Sequence, residues 1–231
     1  MQDFDAAVWD ALVQDSLWYM SDLYKDYLNL IENPESPTEQ THALKLTVRR
    51  YFAEQLRHGK VALGQTGQDF DAERQAIDTV VIHHTAGSAS NYTLDYLNAV
   101  QLLRIYAASY RDTPERRGRP IWSGHFRGDQ QVFWGYHWFI FEDGRAERIL
   151  PDDAIGWHSG NWDMNTRSIG ICLAGNFMQQ PPNAKMLEAA QLIIREHYAD
   201  PSIRIIGHRE VPRDTTCPGD TFSAWRAALR S

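Results

Sequence analysis

The stretch Asp78-Thr-Val-Val-Ile-His-His-Thr-Ala-Gly87 decides how the rest of the chain is read. Val80, Val81 and Ile82 are a short β-branched run, the composition of a strand buried on both faces. His83 and His84 follow at once, and the small residues Thr85-Ala86-Gly87 break the strand. Side chains alternate along a strand, so the two imidazoles point to opposite faces. One ring can serve a site beyond the strand end while its neighbour packs or hydrogen-bonds elsewhere. A third imidazole stands in Ile205-Ile-Gly-His-Arg-Glu210, and a thiol in Thr215-Thr-Cys-Pro-Gly-Asp220. Two neutral nitrogens and one thiolate suit zinc, with a fourth position left for water.

Around this stretch lie 231 residues, 43% hydrophobic and 12% aromatic, enough for a sizeable core plus an appendage. The formal net charge of -7 argues against a nucleic-acid partner for the chain as a whole. Two cysteines, Cys172 and Cys217, make no disulfide framework, so stability has to come from the core, with or without a metal. Met1-Gln-Asp-Phe-Asp5 lacks the basic and apolar regions of a secretory signal, and no run of about 18 apolar residues suggests a membrane span. A cytoplasmic location, or release by lysis or a non-classical route, is the corresponding expectation.

Residues 1–33 place Val8, Leu12, Tyr19, Leu23, Tyr27 and Leu30 near helical spacing among acidic positions, which predicts an amphipathic helix. Asn33-Pro34 breaks it. Ser36-Pro37-Thr38-Glu39 then reads as an N-cap, a proline at the first helical position and a capping-box glutamate. A second helix is predicted to run to about His58, with Leu44, Val48, Tyr51, Phe52 and Leu56 inward. Residues 1–60 thus read as a helical hairpin appendage that packs on the chain or docks a partner. Residues 61–76, within a stretch holding Gly59, Gly64 and Gly67, read as a linker, and 77–231 as the main domain.

Within that domain, Gly87–Asn91 reads as a loop, and a helix is predicted over about 93–110. Residues 111–130 are a long irregular stretch carrying Arg111, Arg116, Arg117, Arg119 and Arg127. Such a stretch suits equally a solvated charged loop or a lid whose arginines, Arg117 and Arg119 among them, meet a carboxylate or an anionic polymer. Phe133–Phe141 is an aromatic strand with Tyr136 near its start, turned by Asp143-Gly144 into a return strand over 145–150. Ile155-Gly-Trp-His-Ser-Gly-Asn-Trp162 is dense in groups that bind sugars and peptides: Trp157 and Trp162 offer flat apolar faces, and His158 and Asn161 offer hydrogen bonds. Ser168–Asn176 is a further buried strand in which Cys172 reads as a small core residue. Asn183 caps a helix running through Tyr198, Ile203–Ile206 is a last strand delivering His208, and Phe222–Arg230 is a closing helix. Strands interleaved with helices predict an α/β fold, with a central mixed sheet flanked by helices.

The ordered set IHHTAG, GYHWFIFEDG, GWHSGNW, SIGICLAGN, GHREVP and TTCPGD resembles the zinc-dependent N-acetylmuramoyl-L-alanine amidases of the phage-lysozyme and peptidoglycan-recognition-protein family, over about residues 77–228. No single motif is specific; six in this order are. The resemblance implies that His83, His208 and Cys217 ligate zinc, that Tyr136 is the catalytic tyrosine, and that Thr215 occupies a position filled by lysine in the phage enzymes and threonine in the animal amidases. It also places His158 in the substrate cleft. The chain departs from the family pattern in its Arg-rich insert and in residues 1–60. It also carries Cys172 and Ala174 where the cytoplasmic recycling amidases use a glutamate, which favours the tyrosine-type mechanism.

The implied substrate is peptidoglycan or a muropeptide, cut at the amide between muramic acid and L-alanine. Zinc lowers the pKa of bound water to about 7 and polarises the carbonyl. Tyr136, helped by Thr215, would stabilise the oxyanion, and His84 is expected to be a supporting or structural residue. A non-catalytic peptidoglycan-binding module is the alternative from another class. The filled set of three ligand positions argues against it.

Overall fold

The computed structural model describes residues 4–87 and 92–230. The loop expected over 88–91 therefore lies outside the described residues. Packing divides the chain into two compact units, Met1–Gln68 with Tyr92–Trp134, and Asp69–Asn91 with Gly135–Ser231.

The first unit is helical: α1 (Ala6–Leu12), α2 (Asp22–Asp26), α3 (Glu39–Arg57), α4 (Leu94–Gln101) and α5 (Ala107–Asp112). The single amphipathic helix expected over 1–33 is broken. Asp15 accepts the Leu17 N–H, a short 3-10 turn covers Trp18–Met20, and Ser21 caps α2. The break lets Trp9, Val13, Trp18 and Tyr19 all turn inward, which no continuous helix could do with positions 9, 13, 18 and 19. Beyond α2 the chain widens into a π-helical turn over Tyr27–Glu32. The helix α3 starts two residues later than the expected capping box. Thr38 is its cap and Thr41 its reciprocal partner, at 3.1 and 2.8 Å.

Residues 92–134 join the N-terminal helices because both supply one core. Tyr24 donates from its hydroxyl to the Leu103 carbonyl at 2.7 Å, and Tyr19 to the Arg119 carbonyl at 2.7 Å. Glu32, only 4% exposed, accepts from Tyr27 at 2.6 Å and from Arg49 Nε at 3.1 Å, and Arg104 Nε approaches its other oxygen at 3.3 Å. The stretch expected to be a linker is packed as well. Val61 is buried and Gly64 N–H donates to the Ile121 carbonyl at 2.7 Å, while Arg74, in the second unit, donates to the carbonyls of Asp152, Asn165, Thr166 and Ser168. The compact units are therefore discontinuous in sequence, unlike the linear 1–60, 61–76 and 77–231 partition.

The second unit is α/β. Its sheet begins with β1 (Thr79–His84); β2 (Phe126–Arg127) and β3 (Gln130–Gln131) form a small separate ribbon in the first unit. The sheet continues with β4 (Trp138–Ile140), β5 (Ala146–Arg148), β6 (Ser168–Leu173) and β7 (Arg204–Gly207), in the order β5-β4-β6-β1-β7. Only β5 is antiparallel to its neighbour, so the sheet is mixed, as expected. Helices α6 (Trp162–Arg167), α7 (Ala184–His197) and α8 (Phe222–Trp225) belong to the same unit. Val80, Val81, Ile82, Ile169 and Ile171 have 0% exposure, as expected of strands covered on both faces. The aromatic strand is shorter than its composition suggests, because Phe133 and Trp134 belong to the helical unit.

The buried Glu32–Arg49 pair is expected to matter most when broken. Arg49→Met leaves Glu32 without its closest cation and should lower the unfolding free energy by about 3–5 kcal/mol. A urea midpoint equal to that of the parent would contradict this role.

Candidate metal centre and cleft

Two neighbouring strands bring the predicted imidazoles to one end of the sheet, and Cys217 joins them from a turn. The strand β1 pairs in parallel with β6 on one side and with β7 on the other, setting His83 opposite Cys172 and Ile82 opposite Gly207. His208 follows Gly207 directly in a 3-10 turn. Crevices at the carboxyl ends of parallel strands are where α/β sheets bind ligands. One donor atom each from His83, His208 and Cys217 lies within 4.8 Å of the others. His83 is fully buried and His208 8% exposed, while Cys217 is half-buried.

The ring nitrogens are already sorted. His83 Nδ1 faces Cys217 Sγ at 3.8 Å, and its Nε2 lies 2.9 Å from His158 Nδ1. His208 Nε2 lies 2.8 Å from the Ser159 carbonyl. A carbonyl only accepts, so His208 carries its proton on Nε2 and keeps Nδ1 as the unprotonated nitrogen. The Cys217 sulfur accepts the His84 backbone N–H at 3.3 Å, and the Thr215 hydroxyl accepts the Cys217 N–H at 3.2 Å. His84 itself turns to the other face, as alternation requires, and its Nδ1 accepts the Phe177 N–H at 3.2 Å.

Burial governs the titration of this cluster. It holds His83 well below the ordinary imidazole range, helped by the neighbouring His158, His208 and His84. Burial also lowers His208, against the Ser159 carbonyl and with Arg213, and it lowers His84. The Cys217 thiol is pushed up to about 11 by burial, opposed by the His84 N–H. The Tyr136 ring lies tilted against that of His83, with centroids 4.9 Å apart, and burial raises its phenol well above the usual value. Its hydroxyl shares a hydrogen bond with the Cys172 thiol, so Cys172 is buried, as expected, yet borders the site.

The loop ahead of α6 divides the residues expected to bind substrate. Trp157 and Trp162 form an aromatic cluster with Phe70, at centroid distances of 5.2 and 5.5 Å. Trp162 is 39% exposed, and its indole N–H donates to Glu73 at 2.8 Å. Phe70 and Glu73 escaped the sequence reading because they fall in the presumed linker. Asn161 caps α6 by accepting the Met164 N–H at 2.9 Å, a helix that was not foreseen. His158 is 7% exposed, with its two ring nitrogens directed at His83 and Ser168. Arg117 and Arg119 belong to the helical unit, where Arg117 Nε donates to the Arg111 carbonyl at 2.7 Å and the Arg119 carbonyl accepts from Tyr19. Arg213, not singled out from sequence, passes over Gly160, where a Cβ would collide with its guanidinium.

A profile of the N-acetylmuramoyl-L-alanine amidase family matches residues 73–220. The chain belongs to that family. It is similar to bovine peptidoglycan recognition protein 1, with 32% identity over 152 residues, covering 64% of this chain and 69% of the bovine protein. Among solved structures it is similar to an endolysin N-acetylmuramoyl-L-alanine amidase from Clostridium intestinale (23% identity, TM-score 0.49, covering 71% of this chain and 88% of that one). It is also similar to human PGRP-IBETAC in complex with glycosamyl muramyl pentapeptide (25% identity, TM-score 0.44, covering 65% and 84%). Membership rests on the profile match. A match to the amidase family thus stands beside similarity to a recognition protein.

Neutral burial of His83, His84 and His208 has a consequence for the metal-free protein. The unfolded chain protonates these imidazoles below about pH 6.5, whereas the folded state resists until lower pH. Stability should therefore fall as pH drops from about 6.5 through the depressed folded values. The thermal midpoint of chelator-treated protein is expected to be lower at pH 5 than at pH 7. Equal midpoints would show that the cluster is not held neutral.

Proposed function

We propose that this protein is a zinc hydrolase that cleaves the amide between N-acetylmuramic acid and L-alanine in peptidoglycan or muropeptides. The observation that carries the reading is the convergence of His83, His208 and Cys217 within 4.8 Å. The donor set fits zinc: two imidazoles and a thiol, with the outer nitrogen of each imidazole occupied by a protein partner. His83 Nδ1, His208 Nδ1 and Cys217 Sγ would hold the ion, which when bound supplies Lewis-acid polarisation and acidifies water.

The remaining work falls to the chain's own side chains. Tyr136, kept protonated by its burial, donates its phenolic hydrogen to the oxyanion that develops on the scissile carbonyl. Thr215 holds the Cys217 backbone in place through its hydroxyl. The exposed face of Trp162, with Trp157 behind it, offers an apolar surface to a sugar ring or to the stem peptide. The recognition proteins among the relatives favour a second reading, binding without turnover, which a complete ligand set does not require.

Two substitutions separate the parts. Cys217→Ser is expected to abolish zinc retention and turnover of a defined muropeptide while keeping the circular dichroism of the parent, because a serine hydroxyl is a poor zinc ligand. Tyr136→Phe is expected to retain one zinc per chain and to lower kcat by about 10²–10³-fold, the loss of one oxyanion donor. A fully active Cys217→Ser variant would remove the thiol from the site. Zinc affinity should also rise about tenfold per pH unit between pH 7 and 9, since a thiol at about 11 must release its proton while both imidazoles are already neutral. An affinity flat across that range would exclude the thiolate as a ligand.

A further inference from the structure

The loop Gly156–Asn161 lies against the donor cluster. Consecutive residues in it serve both imidazoles of the cluster: the His158 ring meets His83, and the Ser159 carbonyl meets His208. The loop is itself anchored. Ser159 N–H and its hydroxyl both reach Asn165 Oδ1 on α6, at 2.9 and 2.7 Å. Behind His158, Gly170 of β6 admits the ring, since a Cβ there would stand 2.7 Å from the imidazole carbon.

The direction of each proton follows from donor and acceptor chemistry. The Ser168 hydroxyl lies 2.6 Å from the Met164 carbonyl, and a carbonyl cannot donate, so the single hydroxyl proton points there. Ser168 Oγ can then only accept from His158 Nε2 at 3.3 Å, which puts the His158 proton on Nε2. His158 Nδ1 is left as an acceptor, and His83 must donate to it from Nε2 across 2.9 Å. His83 Nδ1 consequently carries a lone pair, and it is this nitrogen that faces Cys217. The chain of bonds runs Met164 O, Ser168, His158, His83.

We infer that His158 and Ser168 are positioning residues that lock His83 in the tautomer whose Nδ1 is free to take a metal. The residue expected to bind substrate thus works from behind the metal ligand, and a serine on β6 with no direct reach to the metal governs metal affinity. The inference rests on the metal-site reading above for its effect on affinity, but the proton positions stand independently of it. Reversing one bond reverses the outcome. A His158 protonated on Nδ1 would donate to His83 Nε2 and drive the His83 proton onto the ligating nitrogen.

The test uses the full chain. In metal-free protein, nitrogen-15 NMR of the imidazoles should show His83 and His158 both protonated on Nε2, with a coupling across the His83 Nε2–His158 Nδ1 hydrogen bond. Ser168→Ala should leave His158 in mixed tautomers and partly protonate His83 Nδ1, and zinc binding by chelator competition should weaken about 10–100-fold. A wild-type proton on His158 Nδ1 would overturn the inference, and that spectrum decides the matter even if the alanine variant fails to fold. A folded Ser168→Ala protein with wild-type proton positions and zinc affinity would overturn it too. Wild-type protein that shows the stated tautomers but binds no zinc would instead refute the zinc reading of the site.

Discussion

Parallel pairing of β1 with both β6 and β7 is the constraint on which the site depends. It is backbone hydrogen bonding, not side-chain attraction, that sets His83 opposite Cys172 and carries His208 to the same sheet end. A register shift of one residue would turn His83 to the face His84 now occupies. The register is held by residues with no exposure, Val80, Val81 and Ile82 against Ile169 and Ile171, whose burial leaves no room for slippage. The donor cluster is thus prepaid by the hydrophobic core, which lets two buried neutral imidazoles and a half-buried thiol stand close together in a folded chain.

Much of this was legible in the sequence because the decisive elements are short and chemically loud. A β-branched run ending in two histidines announces a strand and its two faces, and Gly207-His208 after Ile205-Ile206 repeats the pattern. What could not be read was anything that depends on the sheet register. Ser168 and His158 are ten residues apart, and their bond exists only because β6 returns beneath the loop. Cys172 reads as core from its neighbours, yet the pairing with His83 puts its thiol beside Tyr136. Asn161 reads as a hydrogen-bonding group for a ligand, and the fold also uses its Oδ1 as the cap of α6.

The helical unit shows the same limit on a larger scale. Apolar spacing over residues 1–33 is close to helical, but four apolar side chains at 9, 13, 18 and 19 all seek the interior and break the helix. The contribution of residues 92–134 to that core is a long-range fact, carried by Tyr24 to Leu103 and by the charge cluster around Glu32. Composition marked the Arg-rich segment as unusual. It could not show that Arg117 would spend its Nε on the Arg111 carbonyl. Among the described residues no helix is long and apolar enough to cross a membrane.

The claim that the His83–His208–Cys217 cluster supports amide hydrolysis is tested most directly by product identity. A defined muropeptide is incubated with the protein in oxygen-18 water, with and without a chelator, and the products are read by mass spectrometry. The expected result is free stem peptide with an L-alanine amino terminus, and a muramic acid carboxylate carrying one oxygen-18. Chelation should abolish both products and zinc should restore them. Intact muropeptide in the presence of zinc-loaded protein, or cleavage at another bond, would contradict the assignment.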